Sequence, residues 1–304
     1  MIINFNEVAQ KLEDIRNGKT KEGQRIGNKE IDKFLRFKKS NFNVILGHAN
    51  VGKTTVILYL MLCYAKRNGT RWLIYSSENE SHSILRKFVE FLELKPINLI
   101  SKEKFDEHLN WINNYFKIID NNQMYDFRSL LVFAKSIKDA WNYGGLLIDP
   151  YNSMTKNPDL MKSLGGHEYD YQACSEIRLF CKENQVSVWL NTHANTSALR
   201  FKHPVDHIFG GHPIPPMASD VEGGGKFVNR ADDFIVIHRY TQHPTEWTKT
   251  HLHVRKVKEV ETGGRPTSYD NPIIMKSIPN NVGFEIGGVK VLDEPLKDND
   301  KIPF

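Results

Sequence analysis

Residues 47–54 read Gly47-His48-Ala49-Asn50-Val51-Gly52-Lys53-Thr54, which satisfies the pattern Gly-x4-Gly-Lys-Ser/Thr. This pattern constrains the fold because it works only between a strand and a helix. The flanks supply both. Phe42-Asn43-Val44-Ile45-Leu46 is an apolar strand, and residues 54–67 read as a helix closed by Asn68-Gly69. A glycine-rich turn entering a helix N-terminus collects backbone N–H donors and the positive end of the helix dipole around an anion. The expected ligand is a nucleoside triphosphate, ATP, with Mg²⁺. Gly47, Asn50, Val51, Gly52, Lys53, Thr54 and Thr55 would line it. Lys53 would reach the β- and γ-phosphates, and the Thr54 hydroxyl would hold the metal.

The rest of the chain reads as strands alternating with helices. Strands are expected at 71–76, 116–119, 145–149 and 186–191, with helices at about 80–93, 127–142 and 167–184. Continuous apolar strands separated by helices predict an α/β fold with a mainly parallel sheet covered on both faces. After His193 the character changes: residues 194–225 hold many Gly and Pro and little apolar periodicity. A loop that long in a compact domain is functional or unstructured. A strand at 233–238 and a terminal antiparallel hairpin, Thr250 to Lys258 with Pro272 to Met275, complete the core. The expected divisions are an N-terminal helical segment at 1–26, one ATPase domain at 27–288 and a flexible acidic tail at 289–304. In the first segment Val8, Leu12 and Ile15 share one helix face.

Composition narrows the setting. The net charge is +5 with a pI near 8.9, compatible with a polyanionic partner. The three cysteines, Cys63, Cys174 and Cys181, form no metal or disulfide pattern and read as core residues, which fits a reducing cytoplasm. No apolar run approaches membrane-spanning length, and the N-terminus lacks a signal-peptide apolar segment. The expectation is a cytoplasmic protein without a membrane partner.

Four further positions carry chemistry. Asp149 ends the apolar run Leu146-Leu147-Ile148 and would order the metal shell; a turn or helix-capping aspartate is the plainer reading. Glu78 ends the strand after the phosphate loop, where a carboxylate can activate water for in-line attack; Glu80 is its competitor. His193 closes Leu190-Asn191-Thr192 and could report the state of the γ-phosphate to the loop that follows, although a lone histidine is more often structural. Gly223-Gly224-Gly225-Lys226 offers bare amides to phosphates without reading bases, or is a flexible linker. Arg255-Lys256-Val257-Lys258 is either a solvated basic strand face or a source of positive charge for a neighbour's γ-phosphate.

In this order, these residues resemble the hexameric replicative helicases of the DnaB type, including the helicase halves of phage primase–helicases and mitochondrial Twinkle. The resemblance covers about residues 20 to 280. Its carriers are Gly27 through Leu35 before the phosphate loop, Leu73 to Glu78, Leu146 to Tyr151, Leu190 to His193, and Ser219-Asp220-Val221 with the glycines and Asn229-Arg230-Ala231-Asp232. The resemblance implies a RecA-like P-loop NTPase fold and an ATP hydrolase that moves along single-stranded DNA as a homo-hexameric ring. It further implies that Arg239 contacts the nucleotide base and that Arg86, with Lys87 an equal competitor, positions Glu78. Two departures stand out. The family's Lys-x-Arg pair aligns with Lys256-Val257-Lys258, so the finger contacting the neighbour's nucleotide is Lys258, or Arg255 in a shifted register. The arginine often found before the glycines of the second DNA loop is Glu222 here. No primase domain or helicase collar is recognised, as in compact phage replicative helicases of a bacterial or phage-infected cell. The tail from Leu292 to Phe304 resembles the acidic tip of bacterial single-strand binding proteins. With the N-terminal helix, it is the expected contact for primase, polymerase or other replisome proteins. Two other readings stay open: a filament-forming recombination or repair ATPase, and a nucleotide-gated loader or adaptor that does not unwind.

Overall fold

The computed structural model describes residues 4–19 and 22–293. In chain order its elements are α1 (Phe5–Arg16), α2 (Lys29–Asp32), β1 (Phe42–Gly47), α3 (Lys53–Asn68), β2 (Trp72–Ser76), α4 (Ser81–Glu93), α5 (Lys102–Tyr115), β3 (Phe116–Ile118), α6 (Phe127–Ala140), β4 (Gly145–Asp149), α7 (Pro158–Asn184), β5 (Ser187–His193), α8 (Lys226–Arg230), β6 (Asp233–Arg239), β7 (Lys249–Val257), β8 (Ile273–Ser277), β9 (Phe284–Ile286) and β10 (Val289–Lys290). One ten-stranded sheet runs β10-β9-β8-β7-β6-β1-β5-β4-β2-β3. From β6 to β3 all neighbours are parallel, and from β6 to β10 all are antiparallel. This is the predicted α/β sheet with its antiparallel extension.

The parallel half is buried on both faces because its strands carry apolar side chains on both. Ile45, Ile74, Leu147 and Trp189 point to the α3–α4 side. Val44, Leu73, Leu146 and Val188 point to the α6–α7 side. The first of these cores is rich in rings. Trp72 meets Phe37 at 5.3 Å and Trp189 at 5.4 Å, each nearly edge-on. The three cysteines are buried within these cores.

Several boundaries differ from the sequence expectation. Helix α5 is an addition to it, although Phe105, Leu109 and Ile112 at helical spacing carry its signal against a charged background. The helix expected at about 167 begins at Pro158, capped by Asn157, and is kinked at Gly165 (φ 72°), whose conformation interrupts the helical pattern. The expected hairpin is four strands rather than two. The packed body passes residue 288, since β10 joins the sheet and Val291 and Leu292 are buried. It also starts before residue 27: Gln24 bridges Phe37, and Ile26 is buried with its N–H donated to Asp32 at 2.8 Å. Helix α1 stands apart, with Phe5, Leu12 and Ile15 exposed. The acidic tip resemblance falls mainly on residues 294–304, outside those described.

Gly145, the first residue of β4, lies beside Trp72, and a Cβ there would overlap the indole ring. Gly145→Ala is expected to lower the unfolding free energy by about 1–3 kcal/mol through overpacking. Urea denaturation is the check, and an unchanged midpoint would mean that Trp72 relocates freely.

Candidate functional site

The site forms at the carboxyl edge of the parallel strands, where β1, β2, β4 and β5 all end. Parallel strands with right-handed crossovers open a crevice at this edge. The phosphate loop leaves β1 at Gly47. It turns through Asn50 (φ 61°) and Gly52 (φ 86°), both left-handed, and enters α3 at Lys53. Val51 is buried, and Thr54 and Thr55 lie half-buried on the first turn of α3.

Lys53 is buried, and its Nζ donates to the carbonyls of Gly47 (3.0 Å) and His48 (2.8 Å). It also lies 3.2 Å from Nδ1 of His193, at the tip of β5. Thr54 Oγ1 donates to Asp149 Oδ2 at 2.9 Å. Asp149 is buried at the end of β4, and its other oxygen accepts from Asn191 Nδ2. Asn79 Nδ2 lies 3.4 Å from Asp149 Oδ2 and is held by Ser76. Glu78 stands half-exposed at the rim, with Oε1 2.8 Å from the Ser153 hydroxyl and 3.7 Å from His193 Nε2. The tertiary structure therefore brings Lys53, Thr54, Glu78, Asp149 and His193 into one contiguous cluster. Glu80 instead occupies the N-cap position of α4.

The electrostatics follow from burial. Desolvation holds Lys53 down to about 8, against the pull of Asp149 and Glu78. Burial raises Asp149, opposed by the hydrogen bonds from Asn191 and Thr54. Burial, and then Lys53, lower His193, so its ring is neutral at pH 7. Since the ammonium can only donate, Nδ1 is the acceptor and the ring proton sits on Nε2, facing Glu78. Among the described residues no group of three or more His, Cys, Asp or Glu could hold a metal by itself. Thr54 and Asp149 do fit Mg²⁺, which binds through few protein oxygens and takes the rest from phosphates and water.

The remaining expected residues fall into three groups. Arg86 lies on α4, where its competitor Lys87 is paired with Glu90 at 3.1 Å. Arg239, at the end of β6, donates to the Trp247 carbonyl and lies over the Trp247 ring. Gly223, Gly224 and Gly225 form an open turn. Gly223 has φ 101°, and a Cβ there would come within 2.9 Å of Phe227, so glycine is required. Lys226 corrects the sequence reading. It is buried, donates to the His167 carbonyl at 3.0 Å and lies 3.5 Å from Asp170, because α8 turns it inward, so it is not presented to a phosphate. Lys256 is likewise committed: its Nζ caps α8 through the carbonyls of Val228 (2.8 Å) and Ala231 (2.7 Å). Arg255 packs over Tyr269 at 4.6 Å, with Nε and Nη2 buried. Lys258 is partly exposed and pairs with Asp232 at 3.2 Å. Lys256 and Lys258 lie at the opposite end of the sheet from their own phosphate loop.

Sequence reasoning did not single out Asn79, Asn191, Asn152 or Ser153. Asn152 Oδ1 accepts from the His193 N–H (2.9 Å) and the Thr192 hydroxyl (2.7 Å), while its Nδ2 donates to Glu222 (3.0 Å). Adjacency to Asp149 was the available signal, but small amides have no spacing rule.

A P-loop entering α3, an acid at the end of β4 and a polar tip on β5 define the site of a P-loop NTPase on a RecA-like sheet. The chain has the fold of the ATPase domains of DnaB-type helicases. It superposes on a solved helicase ATPase domain with a TM-score of 0.71 at 14% identity, covering 93% of this chain and 99% of that one. A DnaB-like replicative helicase, described with its interactions with primase, gives 0.70 at 15% identity over 93% of this chain and 67% of that one. The KaiC-like protein PH0186 of Pyrococcus horikoshii OT3 gives 0.52 at 15% identity, over 88% and 97% of the two chains. In sequence, the chain is similar to a chloroplastic/mitochondrial Twinkle homolog protein of Arabidopsis thaliana, 26% identical over 231 residues. That match covers 71% of this chain and 30% of the relative, so the chain spans less than a third of that protein's length. No protein-family model matches. No helix among the described residues is long and apolar enough to cross a membrane.

The buried ammonium predicts a pH signature. The unfolded chain holds the Lys53 proton up to about 10.5 and the folded chain only up to about 8, so this group adds stability as pH rises between those values. Relative to Lys53→Met, the wild type is expected to gain about 2 kcal/mol in unfolding free energy between about pH 8 and pH 10. Parallel urea-derived profiles for the two proteins would assign Lys53 an ordinary lysine pKa.

Proposed function

We propose that this chain is an ATP-driven motor of the replicative-helicase type that translocates on single-stranded DNA as a homo-hexameric ring. The observation that carries the reading is the cluster at the carboxyl edge. His193 touches Lys53 on one side and faces Glu78 on the other, beside the Thr54–Asp149 pair, in a chain with the DnaB-type motor fold.

In this reading the triphosphate lies along the phosphate loop. Its γ-phosphate displaces the Gly47 and His48 carbonyls as the partner of Lys53. Thr54 and Asp149 hold Mg²⁺, which neutralises the phosphate oxygens when bound. Glu78, at the open rim, accepts a proton from the attacking water. His193, one contact from both Lys53 and Glu78, is placed to sense loss of the γ-phosphate. The nucleotide would sit at a junction between subunits, with Arg239 toward the base and Arg86 behind Glu78. Lys258 is the strongest candidate for charge supplied to the neighbour, because Lys256 is capped and Arg255 is half-buried over Tyr269. Its pair with Asp232 involves a partly exposed lysine and gives way at little cost. The exposed stripe of α1 would dock on an adjacent subunit. Bare amides of Gly223–Gly225 would hold the DNA backbone without base preference.

With ATP and Mg²⁺, the protein is expected to displace a labelled strand from a forked DNA duplex, and Lys53→Ala is expected not to. Glu78→Gln should retain ATP binding while hydrolysis falls by about 10²–10⁴-fold; near-normal turnover would remove Glu78 from the chemistry. DNA-stimulated hydrolysis without displacement would mark a recombinase-type ATPase instead.

The shared site makes its own prediction. Lys53→Ala and Lys258→Ala subunits, each inactive alone, should regain hydrolysis when mixed, because some junctions then pair an intact Lys53 with an intact Lys258 from the neighbour. Mixtures as inactive as their components would exclude a role for Lys258 across the junction.

A further inference from the structure

The short turn Tyr151–Ser153 follows Asp149-Pro150 directly and is bonded to every part of the site that must communicate. Ser153 holds Glu78 at 2.8 Å. Asn152 Oδ1 takes two donors from the tip of β5, the Thr192 hydroxyl and the His193 N–H. Asn152 Nδ2 reaches Glu222, the residue just before the glycines, at 3.0 Å. The orientation of this amide is set by its partners: a backbone N–H requires the oxygen, and a carboxylate requires the NH₂. On the other side of the glycines, Lys226 is tied to Asp170, and Asp170 accepts from the Tyr151 hydroxyl at 2.9 Å. Gly223-Gly224-Gly225 is therefore strung between two anchors, and both lead to the same three-residue turn. The backbone adds a second link: Glu222 N–H donates to His193 O at 3.0 Å, and Ala194 bridges Val221.

From this wiring we infer that Asn152 is a positioning residue that couples the nucleotide state sensed at His193 to the conformation of the glycine loop, through its bond to Glu222. The inference rests on the nucleotide site proposed above and adds the element that transmits its state. The planar amide has one end for the sensor strand and one for the loop. A displacement of His193 therefore moves Asn152, and with it Glu222, while the positive φ of Gly223 and Gly224 supplies the freedom for the turn to follow. The coupling needs a donor facing Glu222, which separates it from simple packing.

Hydrogen–deuterium exchange of residues 219–226 on addition of Mg²⁺–ATPγS reads this directly. In the wild type, exchange is expected to slow by about fivefold or more, the scale of one charge-assisted hydrogen bond. Asn152→Asp keeps the volume and the acceptors but sets a carboxylate against Glu222, and is expected to abolish that protection. Adding Glu222→Gln to it restores a donor–acceptor pair of reversed polarity, and protection should return. A purely structural role for Asn152 would not be rescued by a change in its partner. Protection that survives in Asn152→Asp, or that does not return in the double variant, overturns the inference. A wild-type loop that binds ATPγS by calorimetry without any change in exchange overturns it as well. Nucleotide-dependent protection without strand displacement would leave the coupling standing and remove the unwinding motor. Absence of ATPγS binding would remove both.

Discussion

The structure depends on a buried positive charge. The ammonium of Lys53 is drawn inside the carboxyl edge of the sheet and satisfied by two carbonyls of its own loop. Those carbonyls replace only part of its hydration, and burial holds its proton affinity down to about 8. A polyanion placed over the loop would supply what the carbonyls cannot. The same charge organises its surroundings: it sets the tautomer of His193, and it lies within electrostatic reach of Asp149 and Glu78. Around it, each strand end contributes one polar group, because only strand ends are both rigid and open to solvent in a sheet covered on both faces.

A second constraint is the economy of the segment after β4. Three consecutive residues, Tyr151 to Ser153, contact the α7 anchor, the sensor strand with the loop rim, and the rim carboxylate of Glu78. Hydrolysis and loop geometry are then not separate features joined by a long path. They share one short element held by hydrogen bonds, which is small enough to move as a unit. The 194–225 segment, which reads in sequence as an irregular loop, is closed at its base by the Ala194–Val221 bridge and packed by rings, with Phe209 stacked on Tyr240 at 3.9 Å. Its order comes from docking on β6 and β7 rather than from periodicity of its own.

How much was legible in the sequence depended on the range of the physics involved. The β1–loop–α3 unit was readable because strand, glycine turn and helix cap are adjacent in sequence and each has its own signature. Asp149 and His193 were readable because they end strands that begin as apolar runs. Lys226 and Lys256 misled for the opposite reason. A lysine near glycines, or on a basic strand, reads as exposed, and only the packing of α8 shows that the ammonium of Lys226 faces Asp170 and that of Lys256 caps a helix. The amides Asn79, Asn152 and Asn191 were silent because an asparagine is defined by its partners, and these lie up to 70 residues away.

The sequence by itself determined the class of sheet, the phosphate loop and the order of the strand-end residues. Those properties follow from local periodicity, turn chemistry and helix capping, which act over a few residues. Only the tertiary structure decided which lysines are free, which carboxylate stands at the rim, and that one turn joins His193 to the glycine loop. Those outcomes depend on which strand ends become neighbours. The crossover topology places β5 between β1 and β4, and with it His193 between Lys53 and Glu78.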